Sequence, residues 1–195
     1  MKFDLSEITA VIRGRRTIYP EDYTTRIVQK EIIENILTNA IWAPTHGKTQ
    51  PWRFKVFTGK ALKKLGDFQG QLYKEATDAE NFSESKYNKT LGRPLLSSVV
   101  IALCMERTTG SKLPEIEEVI AVACAVQNMH LTCTAYGLGA FWNSGGGVYN
   151  QKMITFLGLK EDDKVMGFFY IGYTDKEWPK SHRKPLEYVT EWIDE

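Results

Sequence analysis

The sequence predicts one three-layer α/β/α domain, in which helices cover both faces of a β-sheet. Two unbroken apolar runs, residues 99–104 and 165–171, are the first two observations. A strand with one face in water alternates apolar and polar residues, so continuous runs indicate strands covered on both faces. The third observation is a helical pattern over 115–136 with apolar residues around most of its circumference. Such a helix is buried on most sides.

The remaining elements follow from the spacing of apolar residues. This spacing predicts helices over 4–15 and 30–42 and a strand over 52–57. A more polar helical pattern covers 60–78, and the polar segment 79–92 predicts a mobile surface loop or lid. No repeat, linker or low-complexity block divides the chain. We therefore expect a single domain over residues 1–195.

The apolar residues of the 115–136 helix form two stripes on different faces. One stripe contains Ile116, Val119, Ile120 and Ala123, and the other contains Val122, Ala125, Met129 and Cys133. The simplest arrangement places one face on the sheet and the other on a second subunit, which predicts a homodimer. A helix enclosed in the core of one subunit is the alternative, but a 195-residue domain has little room for it.

Composition and charge exclude several classes of protein. Apolar residues make up 43% of the chain and charged residues 25%, as in folded globular proteins. The net charge of +1 gives no bulk field that would draw the protein to nucleic acid or to an anionic membrane. No apolar run approaches the roughly 18 residues of a membrane-spanning helix. Three cysteines without metal or disulfide spacing predict buried thiols in a cytoplasmic protein.

Two short basic segments lie near opposite ends of the chain. Arg15, Arg16 and Thr17 follow the first predicted helix, and Arg183 lies in a basic stretch over 181–185. Guanidinium groups match pairs of phosphate oxygens, and a neighbouring hydroxyl adds a donor. Taken singly, the first segment is explained as a positive helix C-terminus and the second as a solvated loop. Together they suggest a shared anion site.

Two further segments could hold a ligand. The junction over 42–57 ends a helix at Pro44 and places His46 and Lys48 in a polar loop before a strand, an arrangement suited to a flat polar ligand. The glycine-rich segment 137–147 lets the backbone approach a ligand closely. It matches neither a dinucleotide-binding fingerprint nor a phosphate-binding P-loop. A helix end at 137 and a turn at 145–147 would explain its glycines without any ligand.

The chain contains no pattern for a metal site or a protein nucleophile. His46, His130 and His182 are scattered, and His130 is interpreted as a core histidine with satisfied hydrogen bonds. No serine or cysteine lies in a nucleophile elbow. Any enzyme here would therefore rely on an organic cofactor.

Four segments, in this order, resemble the FMN-dependent nitroreductases, and the small branch of that family in particular. They are Arg15-Arg16-Thr17, the Ala-Pro-Thr-His-Gly-Lys-Thr-Gln-Pro-Trp stretch from Ala43 to Trp52, Gly-Leu-Gly-Ala-Phe-Trp-Asn-Ser-Gly from Gly137 to Gly145, and Gly-Phe-Phe-Tyr-Ile-Gly from Gly167 to Gly172 with the ending Arg183 to Glu187. Each motif is modest alone. Four in register across nearly the whole chain are a strong resemblance.

The resemblance implies an α+β fold with a mixed, mostly antiparallel sheet, and a homodimer with FMN at the subunit interface. NADH or NADPH would reduce the flavin, and a nitroaromatic, quinone or related small molecule would oxidise it in a ping-pong mechanism. The C-terminal arm, about 175–195, would reach the partner subunit.

By position, the resemblance assigns residues to the cofactor and no side chain to catalysis. Arg15, Arg16 and Thr17 would hold the phosphate and ribityl chain, and Arg183 would close on the phosphate. The remaining assignments are His46 and Trp42, which would reach the flavin from the other subunit, and Trp142, Asn143 and Ser144, which would line its ring.

Two positions depart from the family pattern. Tyr19 lies in the region where many members carry a base, and Lys48 replaces the usual Asn. Arg93 or Lys48 would then have to supply the cation that stabilises a reduced flavin ring. The departures leave two alternatives open: an FMN-binding carrier or sensor with little turnover, and a dimeric interaction module that has lost its flavin.

Overall fold

The computed structural model describes residues 2–110, 112–145 and 147–194, which form six α-helices and a four-stranded sheet. The predicted elements are present with nearly the predicted boundaries. In chain order the elements are α1 (Leu5–Gly14), α2 (Lys30–Ala40), β1 (Trp52–Thr58), α3 (Lys60–Glu75), α4 (Glu84–Gly92), β2 (Val99–Met105), α5 (Glu115–Ala135), β3 (Leu138–Asn143), α6 (Gln151–Phe156) and β4 (Lys164–Tyr173).

The sheet has the strand order β1-β2-β4-β3, and each described pair of neighbours is antiparallel. The inner strands β2 and β4 are the two continuous apolar runs, and every residue of β2 is buried. This confirms that both faces of the sheet are covered. The parallel component of the predicted mixed sheet is not present among the described strands.

Side chains of the inner strands alternate between two cores, one on each face of the sheet. Ile101 joins a core formed with α2 and α5, whereas its neighbours Val100 and Ala102 join a core formed with α3 and α6. The α/β/α prediction is therefore confirmed. Cys104 and Cys133 are buried thiols, as predicted, whereas Cys124 is only half-buried.

The prediction of a mobile loop over 79–92 is wrong for its second half, which forms α4. The side chain of Ser83 caps this helix by accepting from the Lys86 amide. Glycines on α3 let the two helices approach closely, because a Cβ at Gly66 would lie 2.3 Å from the carbonyl oxygen of Leu91. No residue of α4 is buried. Close packing against α3, and not a buried apolar stripe, therefore stabilises this polar helix.

The glycine-rich segment contains a strand that the sequence analysis did not predict. This strand, β3, pairs with β4 and places Trp142 opposite Phe169. The predicted helix end is confirmed, since Gly137 has φ +69° and its amide donates to the Thr134 carbonyl at 3.0 Å. The predicted turn at 145–147 includes Gly146, which lies outside the described residues.

The two stripes of α5 differ in exposure. Val122, Ala125 and Met129 are buried in the core, whereas Ile116 and Ile120 are exposed. One stripe therefore faces the sheet side of the domain, and part of the other is open. Over the described ranges, no helix combines the length and apolar character needed to cross a bilayer.

Candidate functional site

The two ends of the chain meet at the end of α1. The Arg16 Nε donates to the Pro179 carbonyl at 2.7 Å, which fixes the C-terminal segment beside the first helix of the same chain. The Nη1 of the same residue donates to the Arg13 carbonyl at 2.7 Å and to the Arg15 carbonyl at 2.9 Å. This guanidinium therefore holds the backbone of both segments together.

Three guanidinium groups converge at this meeting point, and we refer to Arg15, Arg16 and Arg183 as the arginine cluster. Burial lowers the pKa of Arg15, and the positive charges of Arg183 and Arg16 lower it further. Arg183 donates to the Ser181 hydroxyl at 2.7 Å and to the His182 carbonyl at 2.9 Å. The predicted convergence of the two chain ends is present in this structure.

The arginine cluster has no counter-charge within the described part of the chain. None of its members makes an ion pair with a carboxylate there. Like charges held together are unfavourable unless an anion joins them. Planar guanidinium donors match phosphate oxygens in pairs. The donor set therefore fits a phosphate group.

His130 of α5 lies close enough to the cluster for the Arg15 charge to act on it. This residue is 7% exposed, and its Nδ1 has no hydrogen-bond partner among the residues that the structure describes. Burial, with a smaller contribution from Arg15, lowers its pKa to about 4. The ring edge packs on Phe169 with a centroid distance of 4.8 Å. His130 is therefore a core histidine, as interpreted, but the expected hydrogen bond of its Nδ1 is not present among the described residues.

The chain after the arginine pair runs along β3. The Ile18 amide donates to the Ala140 carbonyl at 3.1 Å, and the ring of Tyr19 lies 4.9 Å from that of Phe141. Thr17 is half-buried between these two anchors and the cluster. The structure thus brings the first predicted motif and the glycine-rich segment together.

The three residues predicted at the end of β3 have different surroundings. The Trp142 indole donates to the Met166 carbonyl at 2.9 Å and packs on the core that contains α2 and α5. Asn143 lies on the opposite face, where it lines a cavity beside α3 and α4. Ser144 is exposed. Successive strand residues point to opposite faces, so only Asn143 reaches that cavity.

The loop before β1 has an unusual backbone. Gly47, Lys48 and Gln50 all have positive φ, at 58°, 54° and 46°. This conformation is uncommon for residues other than glycine and is frequent at binding sites. His46 lies in the same loop, and its Nδ1 forms a hydrogen bond with the carboxylate of Glu117 on α5.

Trp42 and His46 are presented outwards. Trp42 is 81% exposed, which is unusual for an indole unless another surface covers it. Among the described residues, the hydrogen bonds of His46 and its loop lead to the loop itself, to α5 and to Arg53 of β1. None leads to the arginine cluster of the same chain.

Arg93 occupies a place that the sequence could not give. It donates to Glu21 at 2.6 Å and lies over the Phe141 ring at 5.3 Å. Because the segment before it was interpreted as a loop, its proximity to β3 could not be predicted. His130 was missed for a different reason, since nothing in an apolar helical pattern indicates an unpartnered nitrogen.

The fold and the site define an α+β protein in which three arginines from two distant segments lie together. A family model for the nitroreductase family matches residues 12–173. The chain therefore belongs to the nitroreductase family.

Individual proteins agree with this assignment. YfhC of Bacillus subtilis (strain 168), a candidate NAD(P)H nitroreductase by name, is 26% identical over 184 residues, which are 93% of this chain and 91% of that protein. A solved nitroreductase-like family protein from Bacillus cereus has a TM-score of 0.82 and 29% identity, over 100% of this chain and 99% of the other. NfnB from Mycobacterium smegmatis, an FMN-dependent nitroreductase solved with NADPH, has a TM-score of 0.76 and 19% identity, over 98% and 100%.

Proposed function

We propose that this protein is an FMN-dependent oxidoreductase that uses NAD(P)H and reduces nitroaromatic, quinone or related small-molecule acceptors. The arginine cluster, with three guanidinium groups and no described carboxylate partner, is the observation on which the proposal rests. The names of YfhC and NfnB support the same activity and cofactors. When bound, FMN supplies hydride transfer from NAD(P)H to the acceptor in a ping-pong mechanism.

The cluster and its neighbours would hold the cofactor phosphate and ribityl chain. Arg15 and Arg16 offer donors from the first chain end, Arg183 offers donors from the second, and Thr17 adds a hydroxyl. Charge-assisted hydrogen bonds contribute roughly 1.5–3 kcal/mol each. Micromolar binding needs about 8 kcal/mol after an association cost of roughly 4 kcal/mol or more. Burial of the flavin ring must therefore add to the phosphate contacts.

The ring would be enclosed by residues of two subunits. Trp42 and His46 are exposed and lead away from the cluster of their own chain, as expected if they serve the other subunit. Asn143 is the last residue of the strand that runs beside Thr17, and Ser144 follows it, so both would line the end of the same cleft. Trp142 would position this strand end from behind, through its bond to the Met166 carbonyl.

A homodimer would cover apolar surface that the single chain leaves open. Exposed apolar side chains lie on α1, on the outer stripe of α5 and on the C-terminal arm: Leu5, Ile8, Ile12, Ile116, Ile120, Leu186, Tyr188, Val189, Trp192 and Ile193. Where such side chains adjoin one another, they mark protein interfaces. A groove of about 920 Å³ beside the edge strand β1, with Ile33, Val56 and Leu62 in its wall, would receive the partner's arm. We also propose that the protein is located in the cytoplasm.

Two measurements test the proposal. Protein purified in the dark and titrated with FMN should show a visible flavin absorbance band, which NADPH bleaches and a nitroaromatic restores. Sedimentation should give a dimer, and deletion of residues 185–195 should weaken it. A colourless protein that leaves the fluorescence of added FMN unchanged would refute the cofactor assignment.

The enzyme and the carrier alternative differ in steady-state turnover. An enzyme consumes many equivalents of NADPH per protein when the acceptor is in excess. A carrier or sensor would show reduction of the bound flavin but no sustained consumption of NADPH. Arg16→Met should lower flavin occupancy in either case, so occupancy must be measured beside the rate.

A further inference from the structure

The loop that contains His46 lies against the start of α5. The Nδ1 of His46 forms a hydrogen bond with the carboxylate of Glu117, in the first turn of this helix. A Cβ at Gly47 would lie 2.9 Å from the Cδ1 of Leu113, so the loop also fits closely against the segment before the helix. The Leu113 carbonyl in turn accepts from the Nη2 of Arg107 at 2.7 Å. The loop that carries the imidazole is therefore fixed in place by its neighbours.

The first turn of α5 carries three carboxylates, and each has a different partner. Glu115 lies 3.5 Å from the Nζ of Lys164, and the buried Glu118 pairs with Arg107. A carboxylate in the first turn stabilises any helix through the helix dipole, and this effect is common to all three. The bond to an imidazole belongs to Glu117, so the helix dipole does not explain it.

The bond to Glu117 determines which nitrogen of the imidazole carries the proton. A carboxylate accepts hydrogen bonds and cannot donate them, so Nδ1 must be the donor. In the neutral ring, Nε2 then keeps its lone pair. Within the part of the chain that the structure describes, the Nε2 of His46 has no hydrogen-bond partner, and this side chain is 64% exposed. The ring therefore presents an acceptor at the surface.

This bond contributes little to the stability of the fold. Ion pairs between exposed side chains stabilise proteins only slightly, because water solvates both groups. A side chain that binds a ligand loses conformational freedom, and a bond that already holds the side chain reduces that loss. The pairing of His46 with Glu117 is therefore better suited to orienting the ring than to stabilising the chain.

We infer that Glu117 is a positioning residue for the flavin site. It keeps the proton of His46 on Nδ1, so that Nε2 accepts a hydrogen bond from a hydroxyl or N–H group of the flavin bound to the partner subunit. The inference rests on the proposed function, in which His46 serves the other subunit. It assigns a role to a residue that lies outside the motifs of the sequence.

Nuclear magnetic resonance of the full-length protein, labelled with ¹⁵N in its histidine rings, measures the position of the proton before and after removal of the flavin. The chain has three histidines, and the signals lost in His46→Gln identify the ring concerned. At about pH 8.5, where an ordinary imidazole is neutral, the wild type and Glu115→Met should show Nδ1–H. Glu117→Met should shift the ring towards Nε2–H once the flavin is removed. Nε2–H in the wild type, or an unchanged tautomer in Glu117→Met, would overturn the inference.

Flavin affinity measures whether this orientation serves the cofactor. Glu117→Met should weaken FMN binding about three- to tenfold, because His46 must then lose its conformational freedom on binding. Glu115→Met removes the same charge from the same turn and should change the affinity less than about twofold. Glu117→Gln keeps an oxygen that can accept from Nδ1 and should recover most of the loss. Equal weakening in Glu115→Met and Glu117→Met would show a general effect of charge at the helix end and refute the inference.

A double-mutant cycle separates positioning from other roles. In the His46→Gln background, Glu117→Met should change flavin affinity less than about twofold, because the group that it orients is gone. Equal losses with and without His46 would show that Glu117 acts by another route, and the inference would fail. A wild type that binds no FMN would refute the proposed function and this inference with it. FMN binding that no substitution of Glu117 weakens would refute the inference alone.

Discussion

Two sets of arginines in this protein differ in whether the fold gives them a counter-charge. In the first set each guanidinium meets a carboxylate: Arg53 with Glu106, Arg93 with Glu21, and Arg107 with Glu118. In the arginine cluster no described carboxylate plays this role, and burial first, then the charges of Arg183 and Arg16, lower the pKa of Arg15. The first set therefore stabilises the fold, whereas we propose that a bound phosphate group completes the cluster.

The largest effect should come from breaking a buried pair of the first set. Glu118 is 1% exposed; burial would raise its pKa, but its bonds to Thr108 and Arg107 outweigh burial and lower it. Arg107→Met leaves this carboxylate without its charge partner, which costs roughly 3–5 kcal/mol for a buried pair. Urea denaturation of the flavin-free protein measures the free energy of unfolding.

The matched control is Arg53→Met. The partner of Arg53, Glu106, keeps a second cation in Lys160 at 2.7 Å and lies nearer the surface. This change should cost at most about 1 kcal/mol. If Arg107→Met and Arg53→Met lower the free energy of unfolding equally, burial does not determine how much these ion pairs stabilise the fold. The comparison between the two sets of arginines would then be unsupported.

The fold could be predicted where burial determines the pattern. Strands β2 and β4 are apolar along their length because both faces are covered. Continuous apolar runs of this kind can be recognised in a single sequence. The helix α4 was not predicted, because its stability comes from contact with Gly66 and Gly70 of α3. Such contacts join residues that are distant in the sequence and leave no local pattern.

The site could be predicted only in part, for a related reason. The convergence of Arg15 and Arg183 was predicted from motif resemblance, and the structure brings them together. Trp142 and Asn143 point to opposite faces because they are successive residues of β3. This strand was not predicted, because its glycines indicated a helix end and a turn. Whether the Nδ1 of His130 has a partner among the described residues depends on what surrounds the ring in three dimensions. A helical pattern reports that a position is buried but not whether its polar atoms are satisfied.

The second prediction removes a member of the arginine cluster. Arg15→Met should weaken FMN binding roughly 10- to 100-fold, since one charged hydrogen bond contributes about 1.5–3 kcal/mol. The flavin-free protein should be no less stable than the wild type, because the substitution relieves repulsion by Arg16 and Arg183. Flavin fluorescence titration and thermal unfolding of the apoprotein measure the two quantities.

Arg13→Met is the control for this prediction. Arg13 lies one turn before the cluster and offers its backbone carbonyl, rather than its side chain, to Arg16. It should change flavin affinity less than twofold. A marked loss of apoprotein stability in Arg15→Met would mean that this residue, like the first set, acts in the fold.

The third prediction concerns pH, through His130. Its pKa is lowered from 6.5 to about 4, by burial first and by Arg15 second. The unfolded chain therefore binds the proton more readily than the folded one between these values. Stability must fall as the pH drops from about 6.5 towards 4, by about 2 kcal/mol at pH 5.

Urea denaturation at pH 7 and pH 5 measures this loss. In His130→Phe, which keeps the ring contact with Phe169, the part of the loss due to His130 should disappear. His46→Gln should retain it. In Arg15→Met the loss should shrink, because one source of the lowered pKa is gone. An unchanged pH dependence in His130→Phe would show that a group other than His130 causes the loss, and an unchanged loss in Arg15→Met would show that Arg15 does not act on the imidazole.

The smallest effect should come from an exposed pair, and it decides how the comparison is to be understood. Lys63 bonds to both carboxylate oxygens of Asp67 at 2.8 and 2.7 Å, one turn apart on the outside of α3. Because water solvates both groups, Lys63→Met should cost no more than about 0.5 kcal/mol in urea denaturation. If an exposed carboxylate adds so little to the free energy of unfolding, a carboxylate beside the arginine cluster would stabilise the fold only slightly. A cost above about 1 kcal/mol in Lys63→Met would mean that exposed ion pairs stabilise this fold appreciably. The protein would then be less stable than it could be, because no described carboxylate pairs with Arg15, Arg16 or Arg183.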